Sequence, residues 1–211
     1  MIRELPDVDI DLADRNAGLA ALTGLVQASQ LNQTGTDLAR HASGIYLEKI
    51  PVDPISGLAA FPYDDAETLG YHKIDLLTNT VYAGLEHEDH LLDLLDQPIQ
   101  WEWFLDPEFN RSLFHFGGHV DRSLTMGDVV SWYEPGSVTD LAILVALKMP
   151  GKKHLIGLDW YEIKEKIWIR EDRGIQFKKS HSIAYGMVVG IDARRKAPDY
   201  YSKIQVRRYG D

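Results

Sequence analysis

The feature of this sequence that most constrains its fold is an alternating segment near the N-terminus. Residues 7–12 read D-V-D-I-D-L, so that on a strand Asp7, Asp9 and Asp11 share one face and the apolar residues share the other. Like charges at this spacing repel one another unless a cation neutralises them. The pattern therefore predicts a strand that either faces solvent or contributes carboxylates to a site for a hard divalent cation such as Mg²⁺.

Composition narrows the classes of protein that could carry such a strand. The 211 residues include no cysteine, which excludes disulfides and thiolate metal sites and is typical of a reducing compartment. The formal net charge of −10 repels nucleic acid, so DNA binding would need a local basic face, a bound cation or a partner. Neither a signal-peptide pattern nor an apolar run of membrane length occurs, and we expect a cytoplasmic protein without membrane association.

Hydrophobic periodicity predicts an α+β fold, because strand and helix patterns alternate without a regular βαβ rhythm. The predicted strands cover 7–12, 44–49 and 71–77, and a polar loop covers 29–37. Helices are predicted over 15–28, from 78 to about 95, and over 126–133, 138–148 and 180–196, whereas 160–170 fits a strand or a helix.

Six segments, in this order along the chain, resemble motifs of the C-family DNA polymerases. They are LPDVDIDLADR (5–15), RHASGIYLEKIPV (40–52), ETLGYHKIDLLTNT (67–80), SLFHFGGHV (112–120), WYEPGSVTD (132–140) and FKKSHSIAYG (177–186). The first is similar to P-D-x-D-x-D-F and the last to F-N-K-S-H-S-A-A-Y-A of that family. The chain thus resembles the catalytic palm and fingers of the alpha subunit of bacterial DNA polymerase III, in a miniature, phage-like form.

The resemblance implies a fold and a site in the first part of the chain. It implies a polymerase-beta-like nucleotidyltransferase palm over residues 1–96 and a reduced, fingers-like helical region over 97–211, or one continuous domain. Asp9, Asp11 and Asp75 match the catalytic, metal-binding aspartates for Mg²⁺ (or Mn²⁺), and Lys73 matches the lysine that faces the nucleotide phosphates. Asp7 matches the family's first aspartate, for which we expect either a structural role or a role in supporting the metal-binding aspartates. The implied partners are a DNA primer-template and a deoxynucleoside triphosphate.

Nucleotide and DNA contacts are expected in the second half of the chain. By resemblance, Lys179, Ser180, His181 and Tyr185 match nucleotide-contacting residues at the start of a helix. Arg194, Arg195 and Lys196 belong to a basic C-terminal stretch that suits contacts with DNA phosphates, although such a stretch is also typical of a solvated helix.

Several residues remain open between a functional and a structural interpretation. His115 and His119 lie four positions apart, as on one helix face, which fits metal ligands or ordinary histidines. A cluster of Trp101, Trp103 and Phe104 fits base stacking or a core. His41 contacts the site or is structural.

The sequence also departs from the family. It has no counterpart of the G-R-G-S-G loop that grips the triphosphate, and Glu134 stands where the family has arginine. Three alternatives follow: a complete miniature polymerase, one part of a split enzyme whose partner polypeptide supplies the loop, or a non-catalytic module that binds a replisome partner.

Overall fold

In the computed structural model the described residues are 8–171 and 176–209, with only the backbone for 205–209. Asp7 and the roles expected for it therefore lie outside the described residues. The chain forms two compact units, one up to Gly84 and the other from Leu85 onward. The first contains a sheet and the second is helical where it is described, which confirms the α+β class.

The first unit contains a four-stranded mixed sheet with the order β1-β4-β3-β2. Its strands and helices are β1 (Val8–Leu12), α1 (Arg15–Ala21), β2 (Val26–Leu31), β3 (Leu38–Tyr46), α2 (Tyr63–Thr68) and β4 (Lys73–Thr78). β1 runs parallel to β4, whereas β4 with β3 and β3 with β2 pair antiparallel. A 3₁₀ turn, Tyr82–Gly84, follows β4.

Helix α1 packs against β1 and β4 at Leu12 and Leu76, where a glycine lets it approach closely. A Cβ added at Gly18 would lie 2.3 Å from Leu12 Cδ1 and 3.9 Å from Leu76 Cδ1. The Asp14 side chain caps the helix by accepting hydrogen bonds from the backbone N–H groups of Asn16 and Ala17. Leu12 and Leu76 thus pack beneath α1, whereas Val8 and Ile10, on the same side of β1 as Leu12, remain 41% and 42% exposed.

The predicted helix over 15–28 is correct only as far as Ala21, and the predicted loop over 29–37 is correct only from residue 32, after β2. Helix α1 ends at Ala21, Gly24 takes a left-handed φ of 92°, and β2 then runs through Leu31. Ala28 and Ser29 are fully buried in the sheet, and Ser29 Oγ donates to the Phe61 carbonyl at 2.6 Å. Pairing with β3 and this burial outweigh the helical periodicity of the segment.

The second unit consists of helices packed around one apolar core. They are α3 (Glu88–Asp96), α4 (Pro107–Ser112), α5 (Met126–Tyr133), α6 (Val138–Leu147), α7 (Trp160–Lys166) and α8 (Lys179–Tyr209), with 3₁₀ turns Trp101–Leu105 and Lys153–Leu155. α5 and α6 agree with the predicted helices, and α7 shows that the segment left open is helical. α8 continues well beyond the predicted end at 196.

Helix α6 lies at the centre of this core. Every residue from Leu141 to Leu147 is buried, and α6 packs along α8. Phe104 is fully buried in the same core, and Trp101 and Trp103 pack against it, so this aromatic cluster is structural. No helix in the described ranges combines the length and the hydropathy that a membrane crossing requires.

The crossing of α6 and α8 depends on Gly186. A Cβ at this position would lie 2.8 Å from the backbone nitrogen of Ala142 and 2.8 Å from the carbonyl oxygen of Val138. We expect Gly186→Ala to lower the free energy of unfolding by about 2 kcal/mol, because overpacking against backbone outweighs the helix propensity of alanine. Urea denaturation followed by circular dichroism measures this change. Exposed Gly136, with no atom within 4 Å of an added Cβ, is the control, and equal midpoints for both variants would contradict the prediction.

Candidate active site

The register of two parallel strands brings together carboxylates that are distant in the sequence. In the pairing of β1 with β4, Asp9 is the Cα partner of Asp75. Partners in parallel strands project to the same side, and the two-residue period adds Asp11 and Lys73 to that side. The four residues predicted to act in catalysis therefore share one face of the sheet.

Asp75 is held by contacts on both of its carboxylate oxygens. Ser43 Oγ donates a hydrogen bond to Asp75 Oδ1 at 2.8 Å. Lys73 Nζ forms an ion pair with Asp75 Oδ2. The two charged side chains are 15% (Asp75) and 18% (Lys73) exposed, so the ion pair is only partly screened by water. The carboxylate is thus fixed in orientation and neutralised by a residue of its own strand.

Ser43 reaches Asp75 because β3 bulges at this point. Residues 41–44 of β3 lie opposite the single residue Ala28 of β2. Gly44 is the register partner of Asp75, so in a regular strand the neighbouring Ser43 would face the other side of the sheet. The bulge turns the hydroxyl toward the carboxylate, which is how bulges commonly re-aim side chains near functional sites.

The bulge is held by the imidazole of His41. Its Nδ1 accepts hydrogen bonds from the backbone N–H groups of Ser43 (3.4 Å) and Gly44 (3.0 Å). Burial lowers the pKa of His41, and the Lys73 ammonium lowers it further. The ring is therefore neutral with its proton on Nε2, and the 3.6 Å approach of Nδ1 to Asp75 Oδ1 joins two acceptors and is not an ion pair.

Lys73 reaches Asp75 across a notch that only glycine provides. A Cβ at Gly44 would lie 2.7 Å from Lys73 Cδ and 2.8 Å from Ala28 Cβ. The ammonium lies 5.5 Å from the centroid of the Tyr63 ring, within the range of a cation–π contact. The position of the Lys73 side chain is thus set by the space at Gly44 and the Tyr63 ring as well as by the ion pair with Asp75.

Asp11 has a partner that the sequence did not reveal. Asn79 Nδ2 donates to Asp11 Oδ2 at 3.3 Å, and Asn79 is only 1% exposed. Two further hydrogen bonds hold Asn79 in place. Its side-chain Oδ1 accepts a hydrogen bond from the backbone N–H of Val81, and its backbone N–H donates one to the carbonyl of Leu12. A polar residue directly after an apolar strand is the only sequence signal for such a role.

Carboxylate oxygens on this face suit a hard cation. Mg²⁺ commonly takes one or two protein carboxylates and completes its shell with water and phosphate oxygens. The paired Asp9 and Asp75 match that donor set. Within residues 8–171 and 176–209, no three or more histidine or acidic side chains form a group that could hold a metal ion by themselves.

The residues predicted to bind nucleotide lie at the start of α8. Lys179 and Ser180 are exposed in its first turn, where backbone N–H groups lack helical partners. His181 stacks on Phe177 at 4.8 Å between centroids and lies 4.4 Å from the Tyr185 ring, edge to face. Two of the four predicted residues are therefore exposed and two belong to an aromatic cluster.

His115 is a partly buried member of that cluster. Its ring lies 4.8 Å from Tyr185 and 4.4 Å from Phe114, and its backbone has a left-handed φ of 62°. Burial, together with smaller effects of the nearby Lys148 and His181, lowers the pKa of His115 to about 4. The structural interpretation of this histidine is therefore favoured, while His119 is exposed.

The basic residues predicted to bind DNA lie on α8 around a buried carboxylate. Asp192 is 1% exposed, and it accepts hydrogen bonds from Arg195 Nη2 and Lys196 Nζ, each at 2.8 Å, and from Phe114 N–H at 2.9 Å. Arg195 and Lys196 thus neutralise Asp192 and keep 27% and 34% of their side chains exposed. Arg194 is partly buried.

Comparison with known proteins returns no match: no family model and no curated sequence is significantly similar to this chain. The fold class and the local geometry described above are therefore the basis for any functional inference.

The lowered pKa of the partly buried His115 predicts a pH dependence of stability. Its folded pKa of about 4 lies below the ordinary 6.5, so the unfolded chain binds more protons between these values and stability falls as pH decreases through that window. We expect the loss to be on the order of 3 kcal/mol for this residue. His115→Asn, which tolerates the left-handed backbone, should lack this contribution. Urea denaturation from pH 7 to pH 4 tests it, with exposed His119→Asn as the control; an unchanged slope for His115→Asn would contradict it.

Proposed function

We propose that this chain is the catalytic core of a DNA-directed DNA polymerase, or one part of a split polymerase, and performs nucleotidyl transfer in DNA replication. The observation that carries the proposal is the shared sheet face of Asp9, Asp11, Asp75 and Lys73, with Asp9 and Asp75 in register. A carboxylate cluster next to a lysine is the combination needed to bind cations and a triphosphate together.

The residues of the sheet face fall into two groups, those that would hold the metal ion and those that orient Asp75. Asp9, Asp11 and Asp75 would hold Mg²⁺, or Mn²⁺, which when bound increases the acidity of an attacking hydroxyl and neutralises charge on phosphate. Ser43 and the neutral His41 orient Asp75, the hydroxyl by a direct bond and the imidazole by holding the bulge.

Each unit offers cations of its own for contacts with substrate. In the first unit Lys73 would contact the triphosphate at the sheet face. In the second unit the start of α8 offers the ammonium of Lys179 and the hydroxyl of Ser180 for phosphate. His181 and Tyr185 present ring edges and faces to the nucleotide. Arg194, Arg195 and Lys196 contact phosphates of the primer-template, which supports binding that the net charge of −10 opposes.

The split form of the enzyme has its own support. A triphosphate needs several backbone or side-chain donors, and β1 offers carboxylates only on the active face. A partner polypeptide that brings a glycine-rich loop to this face would supply the missing donors.

A second candidate function, a non-catalytic module that binds a replisome partner, is favoured by one specific observation. Both oxygens of Asp75 are already engaged within the protein, by Lys73 and by Ser43. In that case the carboxylates would be retained for structure alone.

Primer extension by the purified chain separates these functions. With Mg²⁺ or Mn²⁺, we expect Asp9→Asn to lower extension by at least about 100-fold, because it removes a charge needed in the transition state. The matched control is Asp65→Asn on α2, an exposed aspartate outside the sheet face. The same assay is repeated with candidate partner polypeptides that carry a glycine-rich loop.

Extension lost in Asp9→Asn and kept in Asp65→Asn supports the polymerase. Extension that survives Asp9→Asn would contradict the assigned site. A folded chain that never extends a primer, with or without a partner, would favour the non-catalytic module.

A further inference from the structure

The ammonium of Lys73 lies where it neutralises Asp75. The ion pair joins residues two apart on the same strand, and both side chains are more than 80% buried, at 18% and 15% exposure. In such surroundings the attraction is stronger than at a fully exposed surface. The position of this ammonium is therefore a property of the folded sheet.

Three further features keep the lysine in this place. Gly44 leaves room for its side chain, since a Cβ there would lie 2.7 Å from Lys73 Cδ. The Tyr63 ring faces the ammonium at 5.5 Å from its centroid. Ser43 occupies the other oxygen of Asp75 at 2.8 Å. Together these contacts fix the position of the Lys73 ammonium beside Asp75 Oδ2.

The ion pair of Lys73 with Asp75 lies next to a second carboxylate, that of Asp9. Asp9 is the register partner of Asp75 on the adjacent strand, so two carboxylates project from neighbouring positions of one face. Their repulsion is reduced while Lys73 is present, and a divalent cation bound at this face would reduce it as well. Lys73 Nζ and such a cation would then be alternative partners of Asp75 Oδ2.

We propose that Lys73 is an internal counter-ion that holds Asp75 until a triphosphate draws its ammonium away, so that divalent cation and triphosphate bind cooperatively. This inference rests on the proposed function, because it takes the nucleotide as the anion that Lys73 meets. Linkage requires the coupling to be reciprocal: the triphosphate strengthens cation binding as much as the cation strengthens triphosphate binding. Without nucleotide, the lysine weakens cation binding.

The first experiment measures Mn²⁺ binding by electron paramagnetic resonance in the absence of nucleotide. We expect Lys73→Met to bind Mn²⁺ about tenfold more tightly than the unmodified chain, a typical size for coupling between sites. Lys49→Met, at an exposed lysine of the same unit, is the matched control and should leave the affinity unchanged. Lys73→Gln, which keeps a hydrogen-bond donor without the charge, serves if Lys73→Met fails to fold by circular dichroism.

The second experiment tests whether the tighter Mn²⁺ binding of Lys73→Met depends on the charge of Asp75. In the Asp75→Asn background, the Lys73 substitution should no longer tighten Mn²⁺ binding, because the oxygen for which the two cations compete has lost its charge. Melting temperatures provide an independent readout, since Mn²⁺ should stabilise Lys73→Met more than the unmodified chain.

The outcomes separate this inference from the proposed function. Mn²⁺ binding that needs Asp9 and Asp75 but is no tighter in Lys73→Met overturns the counter-ion and leaves the proposed site intact. A gain that persists in the Asp75→Asn background also overturns the counter-ion. Absence of Mn²⁺ binding in every variant overturns both the counter-ion and the proposed metal-dependent function.

Discussion

The parallel pairing of β1 with β4 is the interaction on which the candidate site depends. It joins two strands that are separated in the chain by α1, β2, β3 and α2, and it aligns Asp9 with Asp75. Such an alignment is electrostatically unfavourable in isolation, because two carboxylates project from adjacent positions. Lys73 offsets this cost within β4 itself, so the strand that introduces the second negative charge also introduces the compensating positive one.

Strand β3 contributes to the candidate site through its bulge, which places Ser43 against Asp75. The bulge at residues 41–44 exists because an uncharged imidazole can accept two backbone N–H groups, and because a glycine at position 44 leaves space for a lysine. Protonation of His41 would remove that acceptor, and a side chain at Gly44 would displace Lys73. The orientation of Asp75 thus depends on residues that have no direct role in charge compensation.

Local patterns predicted the elements that depend on local forces. The apolar run of α6 is visible in the sequence because the whole segment is buried, and the alternation in β1 is visible because its side chains project to opposite faces of the sheet. β2 was mistaken for helix and loop, since its pairing with β3 and the burial of Ser29 are long-range effects. The roles of Ser43 and Asn79 were equally hidden: one needs the bulge, and the other needs the loop after β4 to return to Leu12. The motif resemblance named the aspartates, but only the register shows which two are neighbours.

Each of the two units neutralises a largely buried aspartate with a lysine close to it in the sequence, Asp75 with Lys73 and Asp192 with Lys196. The two pairs differ in how deeply the aspartate is buried. On β4 the partner is two residues away, as the strand period requires, and on α8 Lys196 is four residues after Asp192, as the helix period requires. Asp192 is 1% exposed and bonded to Phe114 N–H and Arg195 as well, so removing its cations would leave a buried charge unpaired. Asp75 retains 15% exposure, so another cation can replace its lysine at a smaller cost. Lys196 is therefore tied to the fold, whereas Lys73 is free to exchange Asp75 for another anion once a second cation takes its place.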